Sequence, residues 1–306
     1  MDTIVRERAE APVAARHSRV LMLPDGGQLG YAEFGDPHGL PVLALHGTPG
    51  SRLMFALADE AARKRGLRVI SPDRAGYGLT TFRRCNSLSD TVDDVRALVE
   101  ALGLDQFAVL GVSGGGPHAV AMAAAMPTRV ALLALVSPMG PIADLRGKIR
   151  MGGLHQLLFS RLGRSPRARA AFFWTVRNLV RWAPDVAYRI LAHRVTPSDR
   201  LLLAREDVRD NLRAALREGL RPGIAGGLQD LRLFCAPWRI DPGTVDVPAV
   251  LWQGSDDTIV PPEASYALAR MLPRCRLEVA QGAGHYWGFG QFDMILDEVA
   301  AALGQA

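Results

Sequence analysis

The chain has 306 residues, of which 48% are hydrophobic and 22% are charged. These values are close to the averages of globular proteins and exclude disordered and fibrous classes. No apolar run reaches the ~18 residues that cross a bilayer, and the N-terminal residues alternate charges where a signal peptide would need an apolar segment. We therefore expect a cytoplasmic protein that does not associate with membranes.

The formal net charge is +5, but the basic residues do not form a nucleic-acid-binding pattern. They are almost all arginines, spread at helical intervals rather than in a block with interleaved aromatics. The three cysteines, Cys85, Cys235 and Cys275, are too far apart for a metal site and odd in number for a disulfide framework. We expect a small-molecule substrate and no nucleic-acid partner, and the sequence is compatible with a monomer or a homodimer.

The first half of the chain alternates between strand and helix patterns. A turn sequence at residues 24–27 predicts an antiparallel hairpin between two β-prone runs. Continuously apolar runs then predict strands that are buried on both faces, and helical periodicity separates them. This alternation indicates a parallel sheet covered on both sides. The predicted strands are residues 17–23, 28–34, 41–45, 67–70, 107–110 and 130–136, and the helices are about 53–65, 89–103 and 117–125.

The pattern changes between residues 141 and 238, where it is helical throughout and interrupted by prolines. We interpret this segment as an all-helical cap inserted into a core made of residues 1–140 and 239–306. Residues 141–240 contain 19 Lys and Arg against 8 Asp and Glu. We interpret these arginines as solvated helix faces, with attraction of anionic substrates as the alternative.

The sheet pattern resumes after this insertion. Two further strands are predicted at residues 248–252 and 276–279, which gives eight strands in total. Helices are predicted at residues 262–271 and about 289–303. The fold class is therefore α/β.

A glycine-rich turn at residues 111–116 connects a predicted strand to an Ala-rich helix, with Ser113 at its centre. Only small neighbours tolerate such a tight turn, which exposes the serine hydroxyl at the N-terminus of the helix. The free N–H groups and the helix dipole there favour the negative charge that develops in acyl transfer. Taken alone, the pattern equally fits a glycine-rich turn with an incidental serine.

A serine nucleophile requires a base and an acid that orients the base. His285 is the only one of the seven histidines that combines three features: it follows Ser113 in the sequence, it lies at the end of a predicted core strand, and its neighbours are small. His46 also ends a strand, but its loop suits the presentation of backbone amides, so we assign its ring a structural role. Both Asp256 and Asp257 are candidates for the acid, and the spacing from Gly254 to Val260 favours Asp257.

The chain order Ser113, Asp257, His285 after a strand-turn-helix motif is that of α/β-hydrolases. The sequence resembles capped serine hydrolases of this family, similar to bacterial esterases and proline-iminopeptidase-like members, from about residue 31 to residue 303. One departure is Ala75, where relatives often carry proline. The motifs that carry the resemblance are residues 46–50, 73–78, 111–115, 254–261 and 284–285.

The resemblance implies an α/β-hydrolase fold, a mostly parallel eight-stranded sheet flanked by helices with an inserted helical cap. It also implies an oxyanion hole made by the backbone N–H groups of Thr48 and Gly114, and no metal or organic cofactor. Residues that we expect near the substrate pocket, from the cap or from chain position, are Met139, Phe172, Trp174, Tyr286 and Trp287.

The expected reaction is hydrolysis of a carboxylic ester or lactone through an acyl-enzyme on Ser113. One alternative is an aminopeptidase or amidase of the proline-iminopeptidase type, which needs an acidic group near the cap. A C–C hydrolase, lyase or cyclase uses the same triad, and a non-catalytic receptor would usually lack one of its members. The cap acids to test for the peptidase alternative are Asp144, Glu206, Asp207 and Glu218.

Overall fold

The structure is a computed structural model of the chain and describes residues 17–143 and 165–304. Within these ranges eight strands form one sheet in the order β1-β2-β4-β3-β5-β6-β7-β8. The first two strands and the β2–β4 pair are antiparallel, and all other pairs are parallel. The strands are β1 (Arg19–Met22), β2 (Gln28–Gly35), β3 (Leu40–Leu45), β4 (Leu67–Pro72), β5 (Phe107–Val112), β6 (Val130–Val136), β7 (Ala249–Gly254) and β8 (Cys275–Ala280).

The eight predicted strands and the α/β class are confirmed. Consecutive residues of the central strands point to opposite faces of the sheet, so a continuous apolar run fills two separate cores. In β3, Leu43 and Leu45 belong to one core cluster, whereas Val42 and Ala44 belong to the other. This explains why these strands show no polar alternation in the sequence.

Ten α-helices are described. The first six residues of the helix predicted at 53–65 belong to a 3₁₀ segment, Arg52–Ala58. The start of the helix predicted at about 289–303 likewise overlaps a 3₁₀ segment, Trp287–Gly290. The α-helices are α1 (Asp59–Lys64), α2 (Val92–Ala101), α3 (Gly115–Ala125), α4 (Pro166–Trp182), α5 (Pro184–His193), α6 (Pro197–Leu203), α7 (Glu206–Gly219), α8 (Ala225–Phe234), α9 (Pro262–Met271) and α10 (Phe292–Leu303).

The segment between β6 and β7 contains α4 to α8 and no strand among its described residues. Its helices contribute to both cores: Phe234 of α8 packs in one cluster, and Leu212 of α7 packs in the other. The predicted division into a core and a separate cap with boundaries at 141 and 238 stays a prediction. Its residues 144–164 lie outside the described ranges.

None of the helices in the described part of the chain combines the length and the apolar character that a bilayer span requires.

The N-terminus of α3 lies directly against the end of β3, which places the turn before α3 at the carboxyl edge of the sheet. A Cβ added to Gly115 would lie 2.1 Å from the carbonyl oxygen of Leu45. This contact is with backbone, which cannot move aside as a flexible side chain can. Only glycine permits the close approach, so the position of the turn depends on this residue.

We expect Gly115→Ala to lower the free energy of unfolding by about 1–3 kcal/mol, because the added methyl group overpacks the α3–β3 contact. Gly304→Ala is the matched control, since a Cβ there would lie no closer than 3.3 Å to another atom at the exposed end of α10. The control should stay within about 0.5 kcal/mol of the parent chain. Urea denaturation measures both, and equal stability of the two variants would contradict the proposed constraint.

Candidate active site

Ser113 lies between β5 and α3 in a backbone conformation that L-residues rarely adopt, with φ of 52°. Hydrogen bonds keep the turn in place: Ser113 N donates to Val136 O over 2.9 Å, and Ser113 O accepts from Gly116 N and Met139 N. A Cβ on Gly111 would lie 2.7 Å from that of Ala119. The small residues around the serine therefore permit a strained turn that presents its hydroxyl above the sheet.

The hydroxyl of Ser113 faces an imidazole that is in turn bound by a carboxylate. His285 Nε2 lies 3.0 Å from Ser113 Oγ, and His285 Nδ1 lies 2.8 Å from Asp257 Oδ2. The three residues follow β5, β7 and β8, so the parallel sheet brings them together at one edge although His285 is 172 positions from Ser113. The distances fit a proton relay from the serine hydroxyl to the imidazole.

The backbone of its own loop orients the carboxylate of Asp257. Its Oδ1 accepts from Ile259 N and Val260 N, each over 2.8 Å, and its Oδ2 also accepts from Gln253 Nε2 over 2.9 Å. Burial opposes ionisation, but His285 and these donors outweigh it and hold the pKa of Asp257 below its ordinary value. Asp257 is therefore ionised and faces the imidazole.

The other acid of the pair takes no part in this arrangement. Asp256 is exposed, and its carboxylate accepts a hydrogen bond from the hydroxyl of Ser255 over 2.7 Å. Its backbone N–H donates to Ala283 O over 3.0 Å, which joins the loop after β7 to the loop before His285. The choice of Asp257 over Asp256 thus agrees with the geometry.

The imidazole of His285 is only 8% exposed. Burial favours its neutral form, but the charge of Asp257 and the hydrogen bond to it are stronger, and the carboxylate of Asp199 adds to them. The pKa of His285 is consequently raised above that of a free imidazole. The site is therefore suited to stabilise the imidazolium that forms when His285 accepts a proton.

Thr48 and Gly114, the residue after Ser113, approach each other closely, and Thr48 and Ser113 line the same cavity. A Cβ added to Gly114 would lie 3.1 Å from Thr48 N and 2.4 Å from Thr48 Oγ1, so glycine is needed for this approach. Within the described ranges neither the backbone N–H of Thr48 nor that of Gly114 donates to an acceptor. Two neighbouring backbone N–H groups of this kind could donate hydrogen bonds to one negatively charged oxygen.

The loop that carries Thr48 is oriented by a buried ion pair. Arg74 Nη2 donates to Gly47 O over 3.1 Å and to Thr48 Oγ1 over 2.8 Å, and Nη1 donates to His46 O. Asp230 on α8 accepts from Arg74 Nη2 and from Thr48 Oγ1, each over 2.6 Å. Because the Thr48 hydroxyl is occupied in this way, its backbone N–H is the group left for an oxyanion.

Burial and the charge of Arg74 determine the ionisation states of Asp230 and His46 in this network. Burial would raise the pKa of Asp230, but the guanidinium of Arg74 outweighs it, and the pKa lies well below the usual range of a carboxyl. Burial, aided by Arg74, holds the pKa of His46 well below the usual imidazole value. Neutral His46 accepts from Arg74 N at Nε2 and donates from Nδ1 to Gly47 O, which agrees with a structural role for its ring.

Sequence reasoning missed Asp230 and Asp199 altogether, and it quoted Arg74 only as part of a motif. Asp230 is the one acidic residue of α8, in an otherwise mostly apolar stretch, which is a weak signal of a buried ion pair. Asp199 follows Thr196 by three positions and is typical of a helix N-terminus. Neither signal identifies the residue that the aspartate binds, because Arg74 and His285 are far from Asp230 and Asp199 in the sequence.

A cavity of about 90 Å³ opens beside Ser113 and His285. Its far wall is apolar, and α5 and α7 of the inserted segment supply part of it. No Asp or Glu of the described residues is among its lining residues. The lining residues beyond the site itself are Met54, Val112, Leu191, Leu212, Ala215, Leu216, Ile259, Tyr286 and Phe289.

Of the pocket residues expected from the sequence, Tyr286 lines this cavity, and the other four do not. Phe172 packs against the core cluster, and Trp174 of the same helix is 62% exposed. Met139 is buried in the core, and Trp287 packs against the second cluster. As cavity-lining residues these four are corrected: α4 packs Phe173 onto Gly227 of α8, so Phe172 and Trp174 do not reach the cavity. The side chains of Met139 and Trp287 pack in the core, although the backbone N–H of Met139 binds Ser113 O beside the site.

Three of the four cap acids proposed for binding an α-ammonium group, Glu206, Asp207 and Glu218, do not line the cavity. Glu206 and Asp207 are exposed at the start of α7, and Asp207 pairs with Arg205. Glu218 pairs with Arg52 over 2.7 Å and with Arg221 over 3.2 Å. Asp144 lies outside the described residues. In the described ranges no group of three or more His, Cys, Asp or Glu side chains is placed to hold a metal ion.

Comparison with known proteins agrees with this arrangement. A family model for the alpha/beta hydrolase fold matches residues 41–289, well over half of the chain. The chain belongs to the α/β-hydrolase family. The match spans the sheet from β3 onward and includes the loops of Thr48, Ser113, Asp257 and His285.

Individual relatives of this α/β-hydrolase differ in their activities. It is 26% identical to a proline iminopeptidase from Neisseria meningitidis over 88% of this chain and 90% of that protein. An esterase from Exiguobacterium antarcticum superposes with a TM-score of 0.69 at 17% identity, over 93% of this chain and 99% of that one. An enol-lactonase from Burkholderia xenovorans superposes with a TM-score of 0.66 at 21% identity, over 94% and 100%. The structural likenesses establish the shared fold.

The two neighbouring aspartates provide a matched pair of variants. We expect Asp257→Asn to lower kcat roughly 10³- to 10⁴-fold, because the amide neither stabilises the imidazolium nor keeps the required tautomer of His285. Asp256→Asn should stay within about twofold of the parent enzyme. Steady-state ester hydrolysis measures both, and the reverse ranking would reassign the acid.

Proposed function

We propose that this α/β-hydrolase is a serine hydrolase that cleaves carboxylic esters or lactones with a short, uncharged acyl group. The observation that carries the proposal is the hydrogen-bonded series Ser113–His285–Asp257 beside two free amides at the mouth of an apolar cavity. The residues supply a nucleophile, a base, an acid and an oxyanion site in reach of one another.

In the proposed reaction Ser113 Oγ attacks the acyl carbon while His285 Nε2 takes the hydroxyl proton. The carbonyl oxygen becomes negative and accepts hydrogen bonds from Thr48 N and Gly114 N. The imidazolium, stabilised by Asp257, then gives its proton to the leaving alkoxide, and an acyl-enzyme remains. Water activated by His285 repeats the sequence and releases the acid.

The size and chemistry of the cavity support a short acyl group. Its volume of about 90 Å³ is smaller than the roughly 150 Å³ that accommodates benzene in an apolar cavity. A chain of about two to four carbons fits this space, and the apolar wall offers nothing to a charged group.

The proline iminopeptidase relative suggests a second activity, removal of an N-terminal residue from a peptide. That substrate carries an α-ammonium group, whose burial is costly without a carboxylate partner. Among the described residues, the carboxylates nearest the site are already bound, Asp257 by His285, Asp230 by Arg74 and Asp199 by the backbone N–H groups of His285 and Tyr286, and none of the three lines the cavity. The cavity therefore favours the ester or lactone over the peptide.

Replacement of the nucleophile tests the proposed mechanism. We expect Ser113→Ala to abolish covalent labelling by a fluorophosphonate and to lower ester turnover by several powers of ten, because no acyl-enzyme can form. Ser87→Ala is the control and should label as the parent enzyme does. Intact-protein mass spectrometry detects the adduct, and a labelled Ser113→Ala variant would refute the assignment.

A substrate series tests the proposed acyl group. With p-nitrophenyl esters we expect kcat/KM to fall at least about tenfold from butyrate to octanoate, because the longer chain exceeds the cavity. Leu216→Ala enlarges the wall on α7 and should raise the octanoate-to-butyrate ratio about three- to tenfold.

Leu201→Ala is the control for this series, since Leu201 is 77% exposed and does not line the cavity. It should leave the ratio unchanged. Prolyl p-nitroanilide should be cleaved at least about 100-fold more slowly than the butyrate ester. Faster cleavage of the anilide than of every ester would replace the proposed substrate class with the peptidase alternative.

A further inference from the structure

We propose that Asp199 is a positioning residue for His285, a second acid that orients the base through its backbone and stabilises its imidazolium form. The proposal rests on the proposed function of His285 as the base. It gives the inserted helical segment a part in the chemistry, in addition to lining the cavity.

The carboxylate of Asp199 binds the two backbone N–H groups that flank the α-carbon of His285. Its Oδ2 accepts from His285 N over 2.7 Å, and its Oδ1 accepts from Tyr286 N over 2.9 Å. Asp199 is 1% exposed, so these bonds are shielded from water. A carboxylate that binds two consecutive N–H groups defines the position of the loop and hence of the imidazole.

Residues of both α6 and the loop before His285 stabilise this contact. Asp199 lies in the first turn of α6, where its own N–H donates to Thr196 Oγ1 over 3.2 Å. The loop that precedes His285 is also bound to α6, because Ser198 Oγ donates to Gly282 O over 3.0 Å. A Cβ on Gly284 would lie 2.1 Å from Asp199 Oδ2, so glycine is required before the histidine.

Among the described residues, the carboxylate of Asp199 is not paired with a permanently charged cation. Among the residues that the structure describes, no Lys or Arg forms an ion pair with it, and the charged groups that act on it are His285 and Asp257. A buried carboxylate without a cation is costly. The cation that can offset this cost is the imidazolium of His285, which exists only after proton transfer. The interaction therefore strengthens toward the transition state.

The groups around His285 determine the expected pH dependence. Asp257 binds the imidazole from the loop after β7 and Ser113 from the turn before α3, whereas Asp199 of α6 binds the backbone N–H of His285 and acts on the imidazole by its charge. The centroid of the Tyr286 ring lies 5.3 Å from that of the imidazole. Tyr188 of α5 acts on Tyr286. Both tyrosines have a pKa raised by burial and are neutral near pH 7. The two aspartates are therefore the charges that favour the imidazolium.

Asp199→Asn tests the proposal with little change in shape. It removes one negative charge, so the imidazolium is less stable and the pKa of His285 falls. The base then stays neutral to lower pH, and the acidic limb of kcat/KM should move down by about 0.5 pH unit or more. The plateau of kcat should fall about tenfold, because an amide NH₂ now faces a backbone N–H and displaces the loop.

The matched control is Asp207→Asn, an exposed acid on α7, which should change neither the limb nor the plateau. Thermal unfolding of each variant shows whether the chain is folded. A lowered plateau with an unmoved limb would assign Asp199 a purely structural role and overturn the proposal, as would an unchanged profile.

An NMR titration of the imidazole in the intact protein needs no substrate and gives the same answer separately. The His285 signal is assigned from its absence in His285→Gln, and its midpoint should fall in Asp199→Asn. If the midpoint falls while the parent enzyme cleaves no ester, the proposed function fails and the electrostatic role of Asp199 stands. If the parent enzyme cleaves esters and the midpoint does not move, the inference fails alone.

Discussion

The site depends on one strained turn, in which Ser113 has a positive φ at the end of β5 and α3 departs at once. That conformation persists because the surroundings over-determine it. Gly115 allows α3 to approach the carbonyl of Leu45, and the hydrogen bond from Ser113 N to Val136 O joins the turn to the next strand. The parallel order of β3, β5, β6, β7 and β8 then brings the loops of Thr48, Asp257 and His285 to the same edge.

The segment between β6 and β7 is more closely joined to the site than a simple cover would be. It contributes two buried carboxylates to contacts around the site. Asp230 binds Arg74 and the hydroxyl of Thr48, and Asp199 binds the backbone of His285. Both are connections between helices of the insertion and loops of the sheet. A change in this segment can therefore alter the positions of His285 and Thr48 as well as the cavity.

Much of the fold could be predicted from the sequence because its signals are local. A turn sequence between two β-prone runs marked the first two strands, continuous apolar runs marked most of the other six, and the glycine pattern marked the turn at Ser113. The helices that line the cavity could not be predicted in this way. Phe172 and Trp174 have the apolar character of a pocket wall, yet among the described helices of the insertion α5 and α7 contribute to the lining, since packing of Phe173 on Gly227 decides which way α4 faces. Asp199 and Asp230 are buried against partners more than 80 residues away in the sequence. No local sequence pattern encodes contacts over such a separation.

The most direct test of the account is a crystal structure of the enzyme after reaction with a phosphonate that mimics the tetrahedral intermediate. The account predicts a bond from Ser113 Oγ to phosphorus, with the phosphoryl oxygen about 2.7–3.1 Å from both Thr48 N and Gly114 N. The alkyl group of the inhibitor should lie in the cavity against α7. An adduct on another residue, or a phosphoryl oxygen turned away from the two amides, would contradict it.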